Sequence, residues 1–496
     1  MLREMKQSYL TIFGTSDPQI TLTIKEEEYS SSLILSNTKE HDGRKITMKK
    51  RFRTAILLIL TLSFLFPQTT GCAPKEVEQT NESLRIAYYG TNTLISNPLY
   101  EFQQSHPDVE VTTDFLPVTE EDPTGDAFYT RIAAEIMSGK GPDITLISYS
   151  GMNAGKMMRS GTFVDLNEFI EEDPEFDLSK YNANVLKAGQ VDGKQYIMPL
   201  TYTIPLVLTT QELLDQTGFD ISTTNNYNAF LEECLKYKEA NIPGAPPLAI
   251  NAYLKPYLSD AVDYDTREVK VDTPENRETI RLNYEAIASQ SSMDGYGIYS
   301  GGIDGAMRLK ENKCLFIQGS MPLFFHCLNY RALKNTETPI QAVLRDAEGR
   351  LMAEVVDSVA INANSPNKQN AYEFIKLMLE GLSDQQQVST MITIPVGNEA
   401  VRTYLEGLIG KEEKLSDLVQ GDIGGTGEIE TVSGLSQEDV DEYMGFLEAI
   451  DGAYIQEKDV YDTHRETIKP YYLGETTDLD GCIKNFEDKL KILASE

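Results

Sequence analysis

The stretch LRIAYYGTNTLISNPLYEFQQSHPDVEVTTDF, residues Leu84 to Phe115, carries the strongest indication of the fold. Leu84–Tyr89 has the apolar–polar alternation of a β-strand, and Val109–Phe115 has the composition of a second strand. Between them, Pro98 suits the first turn of a helix, where its missing N–H costs no hydrogen bond. Strand, helix and strand in this order form a βαβ unit, so we predict an α/β fold with a parallel sheet.

The same pattern continues toward the C-terminus. One helix face is marked by three apolar residues at the spacing i, i+4, i+8, namely Phe128, Ile132 and Ile136. Gly139 is placed to end this helix in a left-handed conformation, and the buried strand Ile144–Ile147 follows. Loops after the carboxyl ends of parallel strands form the ligand crevice of such sheets, so we expect Tyr149 to face a cleft.

Further elements are indicated by apolar periodicity and by Gly and Pro breaks. Asp192-Gly193 predicts a hairpin turn, and 421–427 is a Gly-rich loop. Strands are predicted at 206–208, 248–253, 314–317 and 355–361, and helices at 211–216, 227–238, 275–289 and 305–311, and after Lys368. A last helix is expected to be capped by Asp480 and to bury Ile483, Phe486, Leu490 and Ile492.

Composition excludes several functional classes. The 496 residues carry a net charge of −33, which argues against nucleic-acid binding because phosphate contacts need clustered Lys and Arg. The five cysteines contain no CxxC pair, so a disulfide-dense scaffold is excluded. We expect Cys234, Cys314, Cys327 and Cys482 to be buried thiols, although Cys314 and Cys327 would pair if their geometry allowed it.

The segment Met48 to Cys72, MKKRFRTAILLILTLSFLFPQTTGC, resembles a bacterial lipoprotein signal. It has a basic start, an apolar run of about 13 residues that is too short to span a bilayer, and small residues before Cys72. The resemblance implies a signal peptide over 48–71, an acylated Cys72 and a tether over 72–82. Thr69 departs from the Leu usual in such signals, and the alternative is an uncleaved anchor. Because 1–47 is a mixed polar stretch before this signal, we expect translation to start at Met48 and 1–47 to be an upstream extension or disordered.

Six short motifs occur in the order found in one family. They are Gly139-Lys-Gly-Pro-Asp143, Asp192-Gly-Lys-Gln-Tyr-Ile-Met-Pro199, Thr217-Gly-Phe-Asp220, Phe316-Ile-Gln-Gly319, the run from Asn362 to Ile375, and Ile394-Pro-Val396. Together they resemble the family 1 extracellular solute-binding proteins of ABC importers, the group that includes the maltose-binding proteins. The resemblance implies a two-lobe, type II periplasmic-binding-protein fold, each lobe a mainly parallel sheet flanked by helices. Lobe one would comprise 83–202 plus 358–400, and lobe two 203–357 plus 401–496.

The resemblance favours a sugar or oligosaccharide as ligand, but the aromatic residues depart from the family pattern. Asn226-Tyr227 stands where Thr-Trp is common, and the chain has no Trp at all. With 26 Tyr and 18 Phe, stacking on smaller rings remains open. The other ligand classes left open are peptides, polyamines and phosphorylated compounds.

Candidate ligand contacts come from strand ends and from the positions that the resemblance indicates. They are Tyr89, Tyr149, Tyr202, Tyr253, Gln318, Phe324 and Asp357. A structural role in the core is the alternative for each. No residue is singled out as catalytic, no His or Cys spacing fits a metal, and no cofactor motif occurs.

These observations predict a monomeric, lipid-anchored receptor on the outer face of the cytoplasmic membrane that delivers a small polar solute to an importer permease. Two alternatives are a lipoprotein glycoside hydrolase and the ligand-sensing partner of a surface receptor kinase. The first would show turnover of a glycoside, and the second would leave solute uptake unaltered when the gene is deleted.

Overall fold

The strands predicted at the start of the chain form one side of a seven-stranded sheet. In the computed structural model, the described residues are 78–90, 93–118, 124–149, 151–224, 226–240, 242, 255–287, 304–319, 323–382, 393–418 and 429–495. The predicted upstream extension, the signal peptide with Cys72, the strand at 248–253 and the Gly-rich loop at 421–427 lie outside these residues.

The β-strands of the described residues are numbered in chain order. They are β1 (Ser83–Tyr89), β2 (Glu110–Leu116), β3 (Ile144–Ser148), β4 (Gln190–Val191), β5 (Lys194–Gln195), β6 (Ile197–Thr203), β7 (Leu206–Thr210), β8 (Val262–Asp263), β9 (Glu268–Val269), β10 (Ile317–Gly319), β11 (Pro339–Val343), β12 (Met352–Ile361), β13 (Ile394–Pro395), β14 (Glu413–Lys414), β15 (Thr431–Val432) and β16 (Gly452–Ile455).

The α-helices are numbered in the same way. They are α1 (Thr93–Ser105), α2 (Asp126–Met137), α3 (Ala154–Arg159), α4 (Asn167–Ile170), α5 (Ala183–Leu186), α6 (Gln211–Thr217), α7 (Tyr227–Ala240), α8 (Pro274–Ile287), α9 (Asp304–Lys310), α10 (Leu323–Leu333), α11 (Lys368–Gly381), α12 (Asn398–Glu406), α13 (Leu415–Leu418), α14 (Gln437–Glu448), α15 (Lys458–Thr467), α16 (Lys469–Tyr472) and α17 (Leu479–Ser495).

The large sheet is mixed rather than mainly parallel. Its order is β13-β6-β12-β3-β1-β2, with β16 also paired to β12. β1 runs parallel to β2 and β3, because helices α1 and α2 provide the crossovers that parallel pairing needs. β12 is antiparallel to both β3 and β6 and parallel to β16.

A second, three-stranded sheet has the order β10-β7-β11, and both of its pairings are antiparallel. The expectation of a mainly parallel sheet in this part of the chain is therefore wrong. The chain passes directly from β6 in the large sheet to β7 in the small one through Ile204 and Pro205. It returns between the end of β11 and the start of β12. Both sheets belong to one compact unit, Val77–Glu496.

Two separate apolar cores hold these elements. The first covers both sheets and their flanking helices. The second joins the segment at Pro256–Leu258 to helices α8, α15, α16 and α17. It contains Tyr257, Leu258, Ala261, Val271, Ile280, Val460, Ile468, Tyr471, Tyr472, Ile483, Phe486 and Leu490.

Most predicted elements are confirmed to within a few residues, but three of them need correction. Helix α1 begins at Thr93 instead of Pro98, because its buried face also uses Leu94 and Ile95, and burying this face offsets the hydrogen bond lost at the interior proline. Strand β10 begins at Ile317 instead of Cys314, since the Leu315 carbonyl accepts a hydrogen bond from Thr209 Oγ1 at 2.7 Å in place of a ladder partner.

The third correction concerns helix α17. Asp480 lies within the first turn, and Asp478 accepts the N–H of Gly481 at 2.9 Å in the capping role expected of Asp480. Ile492 is 61% exposed rather than buried, while Ile483, Phe486 and Leu490 are buried as expected.

The first and fifth family motifs meet at a buried carboxylate. Asp143 is 6% exposed and accepts hydrogen bonds from the Arg85 backbone (2.7 Å), Ser365 Oγ (2.6 Å) and Asn367 Nδ2 (3.2 Å). These contacts join the starts of β1 and β3 to the loop before α11. The buried charge is therefore balanced by several donors, as its burial requires.

All four cysteines in the described part of the chain are free thiols, including Cys314 and Cys327. Three of them are buried as expected, whereas Cys482 is only half-buried. No helix among the described residues has the length and apolar content needed to cross a membrane.

Gly141 tests the packing of helix α2 against the start of β3. A Cβ at this position would lie 2.5 Å from Ile136 Cγ1 and 2.9 Å from the Ile136 backbone, so Gly141→Ala should lower the free energy of unfolding by about 1–3 kcal/mol. Gly445, inside α14, has open space around its Cβ position, and Gly445→Ala should raise stability by about 0.5–1 kcal/mol. Denaturant unfolding of both variants measures the difference, and equal stabilities would contradict this packing.

Candidate functional site

The pairing of β12 with β6 places two carboxylates on one face of the large sheet. Glu354 lies opposite Thr203, and Asp357 lies opposite Thr201. Residues directly opposite on neighbouring strands point to the same side, and Thr201 and Thr203 share a face because they are two residues apart. Glu354 and Asp357, three residues apart, share that face only because the register shifts between Val355 and Asp357.

Asp357 is held by hydroxyl groups on both sides. Its two carboxylate oxygens accept hydrogen bonds from Ser148 Oγ at 2.6 Å and Thr201 Oγ1 at 2.9 Å. These partners come from the two strands that flank β12. Burial raises the pKa of Asp357, and the two hydroxyl donors oppose that rise. The group keeps lone pairs for further hydroxyl or amine donors.

Tyr149 follows directly after β3, at the end of the sheet where the sequence predicts a cleft. Its side chain is 57% exposed, and its backbone has a positive φ of 50°. The Tyr149 N–H donates to the Val356 carbonyl at 2.6 Å, which ties it to β12 beside Asp357. The backbone of an exposed tyrosine is therefore hydrogen-bonded to the residue that precedes Asp357 in β12.

Tyr89, at the end of β1, packs on the aromatic rings of α2. Its centroid lies 5.9 Å from Phe128 and 6.2 Å from Tyr129. Gly125 is needed for this contact, because a Cβ there would lie 2.7 Å from the Tyr89 ring. Tyr129 accepts the Ser148 N–H at 3.1 Å, and burial raises its pKa to about 12. Tyr89 is partly exposed, so it remains compatible with the predicted site.

The other predicted contacts differ in their placement. Tyr202 is completely buried, because it alternates with Thr201 and points to the opposite face of β6, so we leave it out of the site. Phe324 is half-buried in the first turn of α10, against Phe325 at 5.3 Å. Gln318 lies in β10 opposite Val207, and its side chain lies outside the described part, as does all of Tyr253.

Glu354 belongs to a polar group that sequence reasoning missed. It accepts a hydrogen bond from the Tyr454 hydroxyl at 3.4 Å, and β16 holds Tyr454 in this place by pairing with β12. Burial raises the pKa of Glu354, whereas the positive charge of Lys255 lowers it. Burial lowers the pKa of Lys255, and its Nζ lies 5.5 Å from the centroid of the Tyr461 ring. The sequence could have indicated Glu354, because it is a charged residue within an apolar strand. It contains no feature that singles out Lys255 or Tyr454.

Glu457 is the second group that sequence reasoning missed. It precedes α15, and its Oε1 accepts the Gly155 N–H of α3 at 2.6 Å. Burial raises the pKa of Glu457 to about 8, although the Gly155 hydrogen bond favours the charged form. Burial therefore raises the pKa of three carboxyl groups in this region, those of Glu354, Asp357 and Glu457. Two of them lie in β12, and the third lies between β16 and α15.

The chemistry of this region is that of hydrogen bonding. The described residues contain no group of three or more His, Cys, Asp or Glu side chains arranged to hold a metal ion. Carboxylates, hydroxyls and phenol rings together suit a polar solute with several hydroxyl groups, since carboxylates accept their protons and ring faces pack on their C–H surfaces.

Comparison with known proteins agrees with this architecture. The family model described as bacterial extracellular solute-binding protein matches residues 90–380. An ABC substrate-binding protein from Listeria monocytogenes in complex with cycloalternan has a TM-score of 0.54 at 14% identity, with 83% of this chain and 99% of that chain covered.

Two further solved structures have the same fold. The sugar-binding protein MalE from Xanthomonas citri has a TM-score of 0.55 at 12% identity, with 83% and 97% coverage of this chain and that one. The cyclic alpha-maltosyl-1,6-maltose binding protein from Arthrobacter globiformis has a TM-score of 0.52 at 15% identity, with 83% and 98% coverage. These likenesses identify a type II periplasmic-binding-protein fold.

The raised pKa of Glu457 predicts a pH effect on stability. A carboxyl group with a pKa near 4.5 in the unfolded chain and about 8 in the folded protein keeps its proton only when folded over that range. Its contribution is therefore complete below pH 4.5 and is lost as the pH rises to about 8. Relative to Glu457→Gln, the wild type should lose up to about 1.4 kcal/mol per pH unit between pH 5 and 8. Urea unfolding across this range measures the slope, and parallel curves for the two proteins would contradict it.

Proposed function

The chain belongs to the bacterial extracellular solute-binding proteins, and on this premise we propose that it captures an oligosaccharide between its two lobes and delivers it to the permease of an ABC importer. The proposal deepens the solute-binding role of the family by naming the ligand class. It is supported by the region around Asp357 and by the ligands of two proteins with the same fold, which are cycloalternan and cyclic alpha-maltosyl-1,6-maltose.

The observation that carries the proposal is the position of Tyr149 directly after Ser148, the residue of β3 that pairs with Asp357. A half-buried carboxylate already accepts two hydroxyl groups, and an exposed ring follows the strand beside it. A sugar presents both of the surfaces that this pair recognises, hydroxyl donors at its edge and C–H groups on its face. Because the chain has no Trp, tyrosine rings supply the stacking surface in this protein.

The lobes follow from the two sheets. We propose lobe one as 83–202 plus 358–400 around the large sheet, and lobe two as 203–357 plus 401–496 around the small sheet and the second core. The chain then crosses between the lobes near Thr203, within β12 near Asp357 and near residue 400, and these crossings serve as the hinge. Strand β16 belongs to the large sheet by its pairing with β12, so 452–455 is added to the connection between the lobes.

We place the protein at the outer face of the cytoplasmic membrane, held by a lipid on Cys72. Its partners in this role are the solute and the permease subunits, and it acts as a monomer that makes and breaks no covalent bond. Family membership supports the extracellular location, and the signal-like segment 48–72 supports the anchor.

Tyr149 gives a direct test of ligand binding. In a thermal-shift screen against linear and cyclic gluco-oligosaccharides, a solute that binds only the native state should raise the Tm. Calorimetric titration with that solute should then show about threefold to tenfold weaker binding for Tyr149→Ala, since a stacked ring contributes about 0.5–1.5 kcal/mol. Tyr100→Ala is the matched control, because Tyr100 is 66% exposed on α1 and should leave affinity unchanged.

Two outcomes would count against this function. If no member of a full carbohydrate panel shifts the Tm, the proposed ligand class is wrong. The screen would then be repeated with peptides and polyamines. Release of reducing sugar from the bound oligosaccharide would favour the glycosidase alternative, in which Glu354 and Asp357 would be the carboxyl pair to replace first.

Lipid attachment is tested separately in cells. With radiolabelled palmitate, the wild type should incorporate label and sediment with membranes, whereas Cys72→Ser should lose both the label and the sedimentation. Cys482→Ser is the control cysteine variant, because Cys482 lies far along the chain in α17. Membrane retention of unlabelled Cys72→Ser would instead support an uncleaved apolar anchor.

A further inference from the structure

Two helices that start in different parts of the fold meet at their first turns. Helix α3 follows β3 of the large sheet, and helix α15 packs in the second core through Val460. Their N-cap residues are Asn153 and Glu457, and neither side chain caps its own helix. The first N–H groups of a helix have no partner within the helix, so each of these two helix ends needs an acceptor from elsewhere.

Each N-cap residue supplies that acceptor to the other helix. Asn153 Oδ1 accepts the Asp459 N–H at 2.8 Å, and Glu457 Oε1 accepts the Gly155 N–H at 2.6 Å. Asp459 and Gly155 both occupy the second position of their helices. The Lys458 N–H also donates to the Met152 carbonyl at 3.4 Å. The two helices therefore cap each other, which is the usual role of Asn and of carboxylates at helix starts but here across two parts of the fold.

Close approach depends on the residue at position 155. A Cβ at Gly155 would lie 2.8 Å from Glu457 Oε1, so a side chain here would displace the carboxylate. The two helix starts carry partial positive charge and repel one another, and an acceptor oxygen between them offsets this repulsion. The arrangement thus needs a small residue at position 155 and an acceptor oxygen at position 457.

Two ion pairs lie beside the reciprocal caps. Arg159 contacts both carboxylate oxygens of Asp265, at 2.6 and 2.7 Å, and Lys458 Nζ lies 2.8 Å from Asp126. The acidic partners are 60% and 52% exposed, so solvent screens these pairs and each adds little stability. The contacts of Asn153 and Glu457 are therefore the specific part of this junction.

We propose that Asn153 and Glu457 form a reciprocal clasp that holds the closed arrangement of the two lobes and so sets the affinity for the solute. The clasp rests on the proposed function, since it acts on the equilibrium between open and closed lobes. Neither residue needs to touch the solute. A variant that loses one cap lowers the closed population, and the apparent affinity falls by the same factor.

The lobe distance can be measured with or without a solute. Spin labels are placed on cysteines introduced at Tyr100 and Ile492, which are 66% and 61% exposed on α1 and α17, with Cys72 and Cys482 changed to Ser. The remaining cysteines are buried. Electron–electron double resonance then gives the distribution of distances between the two labels.

Closed lobes should give a short distance between the two labels, and open lobes a longer one. In Asn153→Ala and Glu457→Ala we expect the short distance to be depleted, with a closed-to-open ratio about fivefold lower than in the wild type. Asn153→Asp and Glu457→Gln keep an acceptor oxygen and should retain most of the short distance. Ser436→Ala is the matched control, because Ser436 caps α14 within its own element through the Asp439 N–H at 3.2 Å. It should lower the Tm without changing the distances.

The outcomes separate the clasp from the proposed function. The clasp would be overturned if the wild type and both alanine variants gave the same distances. It would also be overturned if the wild type lacked the short distance both with and without solute. A solute that binds with unchanged affinity in both alanine variants would also overturn the clasp while leaving solute binding intact. If the alanine variants change the distances but no oligosaccharide of the panel binds, the clasp is supported and the proposed ligand class is not.

Discussion

The pairing of β12 with its two neighbours is the constraint on which the large sheet depends. β12 lies between β3 and β6, and all of its buried backbone groups need partners because water cannot reach them. The register shift opposite Thr201 and Thr203 satisfies this pairing and also turns Asp357 to the same face as Glu354. The two register shifts that flank Asp357 thus decide which side chains share this face of the sheet. A regular ladder would have placed one of the two carboxylates in the core.

Buried carboxylates in this protein fall into two kinds, distinguished by their partners. Asp143 is held by several donors from the backbone and side chains of neighbouring segments, so its role is to join β1, β3 and the loop before α11. Among the described residues, Asp357 has two hydroxyl partners, and Glu354 has one tyrosine hydroxyl together with the charge of Lys255. Burial raises the pKa of Asp357 and Glu354 because few donors stabilise their charge. A polar ligand that donates hydrogen bonds would supply the missing stabilisation, which is the physical reason to place the solute here.

The sequence predicts local structure well and long-range geometry poorly. Alternation in Leu84–Tyr89 and the spacing of Phe128, Ile132 and Ile136 identify β1 and α2, because burial on one face leaves a periodic pattern. The orientation of Tyr202 depends on the strand register, and the partners of Glu457 lie some 300 residues away along the chain, as the contact with Gly155 shows. Neither leaves a local pattern. The positions of Tyr149 directly after β3 and of Asp357 within β12 were predictable from the apolar pattern of these strands, whereas Lys255 and Tyr454 come near Glu354 only through tertiary pairing.

The return of the chain to the large sheet as β16 bears on how the lobes move. A hinge made only of the crossings near Thr203 and Asp357 would leave the second core attached to the small sheet alone. β16 instead pairs with the first half of β12 and leads within two residues to Glu457 and α15. The strand that carries Glu354 is therefore connected to the helix that carries one half of the reciprocal caps. A shift of β12 on solute binding would be passed to α15 through this short connection, because a paired strand and the helix after it move together more readily than two elements joined by a long loop.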